Sequence, residues 1–156
     1  LRKGGHIMAC IVDNQQQVIN AFDLFGDEAE KLLETCYKVF QDSLYPYKGI
    51  YRSPLRPSIL EYRQEYFDNG GDSQHFIYFA RHERRLWEKQ HPEELEKEAK
   101  AKREWDESRE NDFRLIAEIV SRHNLQVEWL GGVYSDIWNI YSNDIHRSLI
   151  AQIHCM

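Results

Sequence analysis

The apolar residues of this chain fall into blocks with different spacings. In FGDEAEKLLETCYKVFQDS, residues 25–43, Ala29, Leu32, Leu33, Cys36, Val39 and Phe40 recur at three- and four-residue intervals. That spacing lines one face of an α-helix. Asp27 and Glu30 stand three apart, as in a capping arrangement, and Cys36 reads as a small residue of the buried face. Ahead of this block, ACIVDNQQQVINAF (residues 9–22) has two short apolar stretches around DNQQ. It fits a small hairpin, or a strand leading into a helix.

After it comes LYPYKGIYRSPLRP, residues 44–57, punctuated by Pro46, Gly49, Pro54 and Pro57. These residues break regular structure and predict a loop. Ser58 followed by Glu61 makes a capping box, which predicts a helix through ILEYRQEYF ending at Asn69-Gly70-Gly71, where a left-handed stop is easy. In SQHFIYFARHERRLWEKQ, residues 73–90, Phe76, Phe79, Ala80, Leu86 and Trp87 lie near helical spacing. Residues 59–80 therefore read as helices. Their Tyr and Phe content also suits strands, with DNGGD as a hairpin turn.

Pro92 opens a new helix, since proline is accepted in a first turn and biases His91 before it out of the helical region. The pattern then runs to residue 123, where Asn124 is placed to cap it. About 30 residues at 1.5 Å each would extend about 45 Å. Its first half, PEELEKEAKAKREWDESREND, is nearly all polar and carries only Leu95, Ala99 and Trp105 as an apolar stripe. Glu93–Lys97, Glu96–Lys100, Glu98–Lys102 and Glu110–Arg114 put an acid four residues before a base, each worth about 0.2–0.5 kcal/mol of helix support. The second half, with Phe113, Ile116, Ala117 and Val120, belongs to a core. The helix thus reads as anchored at one end and projecting at the other.

LQVEWLGG alternates apolar and polar positions and predicts a strand. In VYSDIWNIYSNDIHRSLIAQI, residues 133–153, Tyr134, Ile137, Trp138, Tyr141, Ile145, Leu149 and Ile153 sit near helical spacing and predict a final helix. The expected class is α+β, mainly helical. It has four or five helices, one of them long and charged over residues 92–123, and one to three short strands. The first eight residues, LRKGGHIM, read as an added remnant ahead of a natural start at Met8, so His6 carries no functional weight. Residues 9–156 read as one globular domain with the projecting charged helix.

Composition narrows the function classes. Apolar residues make up 42%, charged residues 29% and aromatics 13%, which is a globular and aromatic-rich chain. No apolar run reaches the roughly 20 residues of a membrane helix. Cys10, Cys36 and Cys155 are an odd count without close pairs. They read as reduced thiols of a cytoplasmic protein rather than a disulfide framework.

The net charge is −6, but it is uneven: residues 9–47 hold seven acids against two lysines, whereas residues 48–85 hold seven bases against five acids. The two regions suit mutual attraction, or partners of opposite sign.

Catalytic and metal signatures are absent from the sequence. His82-Glu83 would need a second histidine where Leu86 stands to make a metalloprotease helix. There is no paired-cysteine zinc spacing, no GxSxG elbow and no phosphate loop, so no metal or cofactor is expected. The reading is a small acidic protein-binding module: an inhibitor, an immunity or antidefence protein, or an assembly subunit. Its candidate contacts are Trp105 and Leu95 of the long helix and Tyr45, Tyr47, Tyr51, Arg52 and Arg56 of the loop, because Tyr, Trp and Arg dominate interfaces. The partner would be another protein, or a second copy meeting the Trp105 stripe. In the plainer alternative Trp105 folds back onto its own chain and the loop residues only edge the core. A nucleic-acid reading rests on Arg81, Arg84 and Arg85, which share a broad helix face, with Trp87 nearby; equally, those arginines suit pairing with the acidic helices. An enzyme without a recognisable motif is the third reading.

Overall fold

One five-stranded antiparallel sheet runs in the order Val18–Ile19, Ala9–Asp13, Leu149–Cys155, Asp136–Ser142, Leu125–Gly131. The computed structural model describes residues 9–156, and before them the backbone of two paired strands, β1 (Arg2–Lys3) and β2 (His6–Ile7). The side chains of the segment read as an added remnant lie outside the described residues. The other elements are β3 (Ala9–Asp13), β4 (Val18–Ile19), α1 (Ala21–Phe25), α2 (Ala29–Leu44), α3 (Ile59–Asp68), α4 (Phe76–Gln90), α5 (Pro92–Arg122), β5 (Leu125–Gly131), β6 (Asp136–Ser142) and β7 (Leu149–Cys155). The class is α+β and mainly helical, with the long charged helix in place.

Contacts gather in two compact units, residues 1–48 with 106–156, and residues 49–105. Helix α5 contributes its residues up to Trp105 to the second and from Asp106 onward to the first.

In the first unit, successive strand residues point to opposite faces, and Ala9, Ile11, Trp138, Ile140, Ala151, Ile153 and Cys155 share the covered one. Against it lie Leu32, Cys36, Val39 and Phe40 of α2 and Ile116, Ile119 and Val120 of α5, all buried. Each large apolar side chain buried this way stabilises the fold by about 1.5–3 kcal/mol. The six apolar positions read from the spacing of residues 29–40 are all in this core. Asp27 does not cap α2. A single 3-10 turn over Gly26–Glu28 leads into it, and the side-chain cap is Asn20, whose Oδ1 accepts from Phe22 N at 3.0 Å to open α1. Arg109 ties α5 to α2: it donates to Val39 O at 3.0 Å and Ser43 Oγ at 2.7 Å, and its guanidinium lies 5.3 Å from the centre of the Phe113 ring.

Residues 133–153 correct the expectation of a final helix, because they form β6 and β7. The apolar spacing of this stretch fits both periods, but three facts favour the strands. Ile137, Trp138, Ile140 and Tyr141 are β-branched or aromatic. Asp144 Oδ1 accepts from His146 N at 2.9 Å and Arg147 N at 3.0 Å, and Arg147 takes a left-handed φ of 44°, so a turn interrupts the run. The long helix and α2 then offer an apolar surface that a sheet covers edge to edge. Ile145, assigned by spacing to the buried face, sits in that turn and is 95% exposed.

The fork at residues 59–80 resolves to helices. Ser58 Oγ accepts from Glu61 N at 3.2 Å and opens α3. At its end Gly70 N bonds to Phe67 O, Gly71 N bonds to Tyr66 O, and Gly70 has φ 82°, which together make a left-handed helix stop. Among the described residues, no helix is long and apolar enough to cross a membrane.

Candidate functional site

The loop over residues 49–58 is held by the polar half of α5. Ser53 N donates to Glu98 Oε2 at 2.8 Å, and Arg56 grips the same carboxylate with Nε at 3.2 Å and Nη2 at 2.5 Å. Tyr51 OH donates to Glu94 at 2.6 Å. Beneath the loop, Trp87 of α4 is buried. Its Nε1 donates to Leu55 O at 3.1 Å, Arg56 lies 4.6 Å from its ring centre, and the His91 ring stacks 4.4 Å away. The acids of this helix segment therefore serve their own unit. Glu98, expected to face Lys102, turns to Arg56, which together with neighbouring charge holds its carboxyl below the ordinary 4.5.

Beside the clamp is a cavity of about 530 Å³ lined by Arg52, Arg56, Ser58, Ile59, Tyr62 and Arg84, with Ser53, Pro54 and Pro57 completing it. Three separate segments build it: the loop supplies Arg52 and Arg56, the start of α3 supplies Ser58, Ile59 and Tyr62, and α4 supplies Arg84. Among the described residues neither Arg52 nor Arg84 is ion-paired. Tyr62 is 9% exposed, and its hydroxyl has no hydrogen-bond partner among them. Burial first, then Glu83, pushes that phenol up, against the pull of Arg84 and Arg56. No carboxylate lines the cavity.

Aliphatic surface stands beside it. Leu55, Ile59 and Leu60 are 59%, 56% and 71% exposed, and further along the two helices Phe67, Ile77 and Tyr78 are exposed as well. Between α3 and α4 the contacts are aromatic, with Tyr66 and Phe79 ring centres 4.9 Å apart and Phe67 stacked on Phe76 at 6.0 Å.

The residues singled out in the sequence are redistributed. Tyr45 is exposed beneath Lys48, and Tyr47 OH donates to Asp106 at 2.9 Å, both within the first unit. Tyr51, Arg52 and Arg56 belong to the second unit. Tyr51 and Arg56 are bonded by acids of α5, while Arg52 makes no ion pair among the described residues, its charge acting on Glu98 from a distance, and lines the cavity beside Arg56. Leu95 and Trp105 are half-buried in α5. Arg81, Arg84 and Arg85 are exposed on α4 and, among the described residues, form no ion pairs, so the expected pairing with acidic helices is not made. Trp87 is a post under the loop rather than a surface ring. Tyr62 was missed, because a tyrosine inside a helical run carries no sign that its hydroxyl will be left unbonded.

In the first unit, a second cavity of about 480 Å³ lies among Cys10, Ile19, Ala21, Phe22 and Leu33, with Glu30 as its only charged lining residue. Among the described residues no cluster of His, Cys, Asp and Glu has the geometry to hold a metal ion. Comparison with protein-family models, with curated proteins and with solved structures finds no match for this chain.

Proposed function

We propose that the chain is a protein-binding module whose contact surface is on the second unit, around α3 and the arginine-lined cavity. The observation that carries this reading is the pairing of exposed aliphatic side chains (Leu55, Ile59, Leu60) with two arginines that form no ion pair among the described residues. A short helical hairpin whose only buried apolar side chains are Tyr62 and Trp87 has much to gain from a partner's apolar surface. Arginine beside aliphatic and tyrosine side chains is interface chemistry. The partner is a polypeptide with apolar side chains flanking an anionic group. An inhibitor, an immunity or antidefence protein, or an assembly subunit would each work this way. A cytoplasmic setting fits the three free cysteines.

The test is affinity capture from lysate with the native chain, with Leu60→Asp and with Tyr134→Asp, each with and without nuclease. Leu60 and Tyr134 are both well exposed, so neither change threatens the fold. A protein held by the native chain and by Tyr134→Asp but lost with Leu60→Asp supports the reading. Equal capture by all three overturns it. Capture that vanishes with nuclease moves the function to nucleic acid and to Arg81, Arg84 and Arg85.

A further inference from the structure

The Arg52–Arg84 cavity has hydrogen-bond donors in excess and almost nothing for a donor to meet. Arg52 and Arg84 each offer a fork of N–H groups. Tyr62, largely buried as a residue, offers a hydroxyl that has no hydrogen-bond partner among the described residues and is open to solvent. The N–H groups of Ile59 and Leu60, in the first turn of α3, have no acceptor within their helix. The N–H groups after them are taken, Glu61 by Ser58 Oγ and Tyr62 by Ser58 O. The acids nearest the cavity are occupied or face elsewhere. Glu98 is filled by Arg56 and Ser53, while Glu61 and Glu83 line an adjoining groove that shares Pro57 and Tyr62 with the cavity but not its arginines. The positive end of α3 and two guanidiniums without ion pairs therefore line one space, with Tyr62 at the border it shares with the adjoining groove.

We propose that this cavity is a phosphoryl-binding site that takes a phosphorylated side chain of the partner polypeptide, which deepens the protein-binding reading and rests on it. A carboxylate has two oxygens, and the donors here outnumber what two oxygens can use. A phosphoryl group brings three oxygens and nearly two charges at neutral pH. The volume exceeds that of a bare oxyanion, so the group arrives on a larger molecule. The neighbouring side chains Leu55, Ile59 and Leu60 are aliphatic, which suits the residues flanking a modified side chain and not the continuous charge of a nucleic-acid backbone.

The experiment is titration of the full isotope-labelled chain with four probes, followed by NMR at the arginine Nε–H and backbone amide signals. The probes are inorganic phosphate, N-acetylphosphoserine amide, acetate and a short single-stranded oligonucleotide. Saturable shifts are expected at Arg52, Arg84, Ile59 and Leu60 with the first two probes, with acetate about tenfold weaker. Arg84→Gln should weaken the phosphoserine probe about tenfold or more, and Tyr62→Phe by a smaller factor. Arg81→Gln, on the same helix but outside the cavity, should change nothing. Shifts that fail to saturate, or that fall equally on Arg81 and Arg85, overturn the site. Binding of the oligonucleotide in preference to the phosphoserine probe also overturns it, in favour of nucleic acid. The two readings fail separately. Leu60-dependent capture without phosphate binding removes only this inference, and phosphate binding without any captured polypeptide removes the protein-binding reading.

Discussion

Glu98 receives Arg56 on both of its carboxylate oxygens, at 2.5 and 3.2 Å, and accepts Ser53 N on one of them at 2.8 Å. One acid on α5 thereby fixes both the direction of the loop and the guanidinium lying over Trp87. The Glu98 carboxyl is held below its ordinary 4.5, first by its hydrogen bond to Arg56. A depressed acid contributes stability above its unfolded value and loses it as pH falls through the lower folded value. The clamp is therefore complete at neutral pH and opens under acid. Glu98→Gln should cost about 1–2 kcal/mol at pH 7. Hydrogen exchange at Ser53 N–H should quicken, and the gap between the two proteins should close as pH drops below 4.5. A variant as slow to exchange as the native chain would show that the loop is held by other contacts.

The stop of α3 makes a second demand. A Cβ placed on Gly71 would stand 2.4 Å from the Tyr66 ring. That ring cannot swing away freely, because Phe67, Phe76 and Phe79 surround it with centres 5.4, 5.8 and 4.9 Å distant. Gly71→Ala should lower stability by about 1–3 kcal/mol through overpacking. The same change at Tyr66→Ala/Gly71→Ala should cost less than the two single changes added. Additive losses in thermal unfolding would mean that the ring is not what Gly71 accommodates.

The elements legible in the sequence are those where propensity, spacing and end signals agree. Residues 29–40 needed only their apolar spacing, and α3 had Ser58 at one end and Gly70 at the other. Residues 133–153 failed because seven apolar residues near helical spacing fit a pair of strands equally well, and the deciding turn at Asp144 is a short polar stretch inside the run. The acidic half of α5 showed its helix but not its use: Glu94 and Glu98 are bound by residues some 42 to 45 positions earlier, and no local pattern carries that. The cavity was legible only in pieces. Arg52 was noted for one surface and Arg84 for another, and the fold makes them walls of the same space.

The cysteines differ in what surrounds them, and their chemistry should differ accordingly. Cys155 is buried on β7, and its thiol is pushed up to about 12 by burial, with the Asp136 carboxylate adding to the effect. Cys36, buried on α2, is pushed the same way, again mainly by burial. Cys10 is only half-buried, and its rise is also set by burial. Since the thiolate is the reactive form, iodoacetamide at pH 8 should modify Cys10 slowly and leave Cys36 and Cys155 untouched until the chain is unfolded. Peptide mass spectrometry across a denaturant series reads this directly. Labelling of Cys155 at the Cys10 rate in native buffer would mean that β7 opens without global unfolding.

Arg52 and Arg56 stand four residues apart in one loop and should behave as opposites. Arg56 has a half-buried guanidinium with two bonds to Glu98, a weaker approach to Glu88 at 3.9 Å, and the Trp87 ring beneath it. Arg56→Ala removes all of these and leaves Glu98 with Ser53 N–H alone, so a loss of about 2–3 kcal/mol is expected. Arg56→Lys should recover little of it, because an ammonium cannot bridge both oxygens of Glu98 or lie flat on the indole. Arg52 is exposed, without an ion pair among the described residues. Arg52→Ala should therefore leave stability within about 0.5 kcal/mol. Its cost should fall on binding, as a loss of phosphoserine-probe affinity in a chain whose thermal midpoint is unchanged. If Arg52→Ala unfolds as early as Arg56→Ala, then both arginines serve the loop, and the cavity between Arg52 and Arg84 has only one free wall left to offer a ligand.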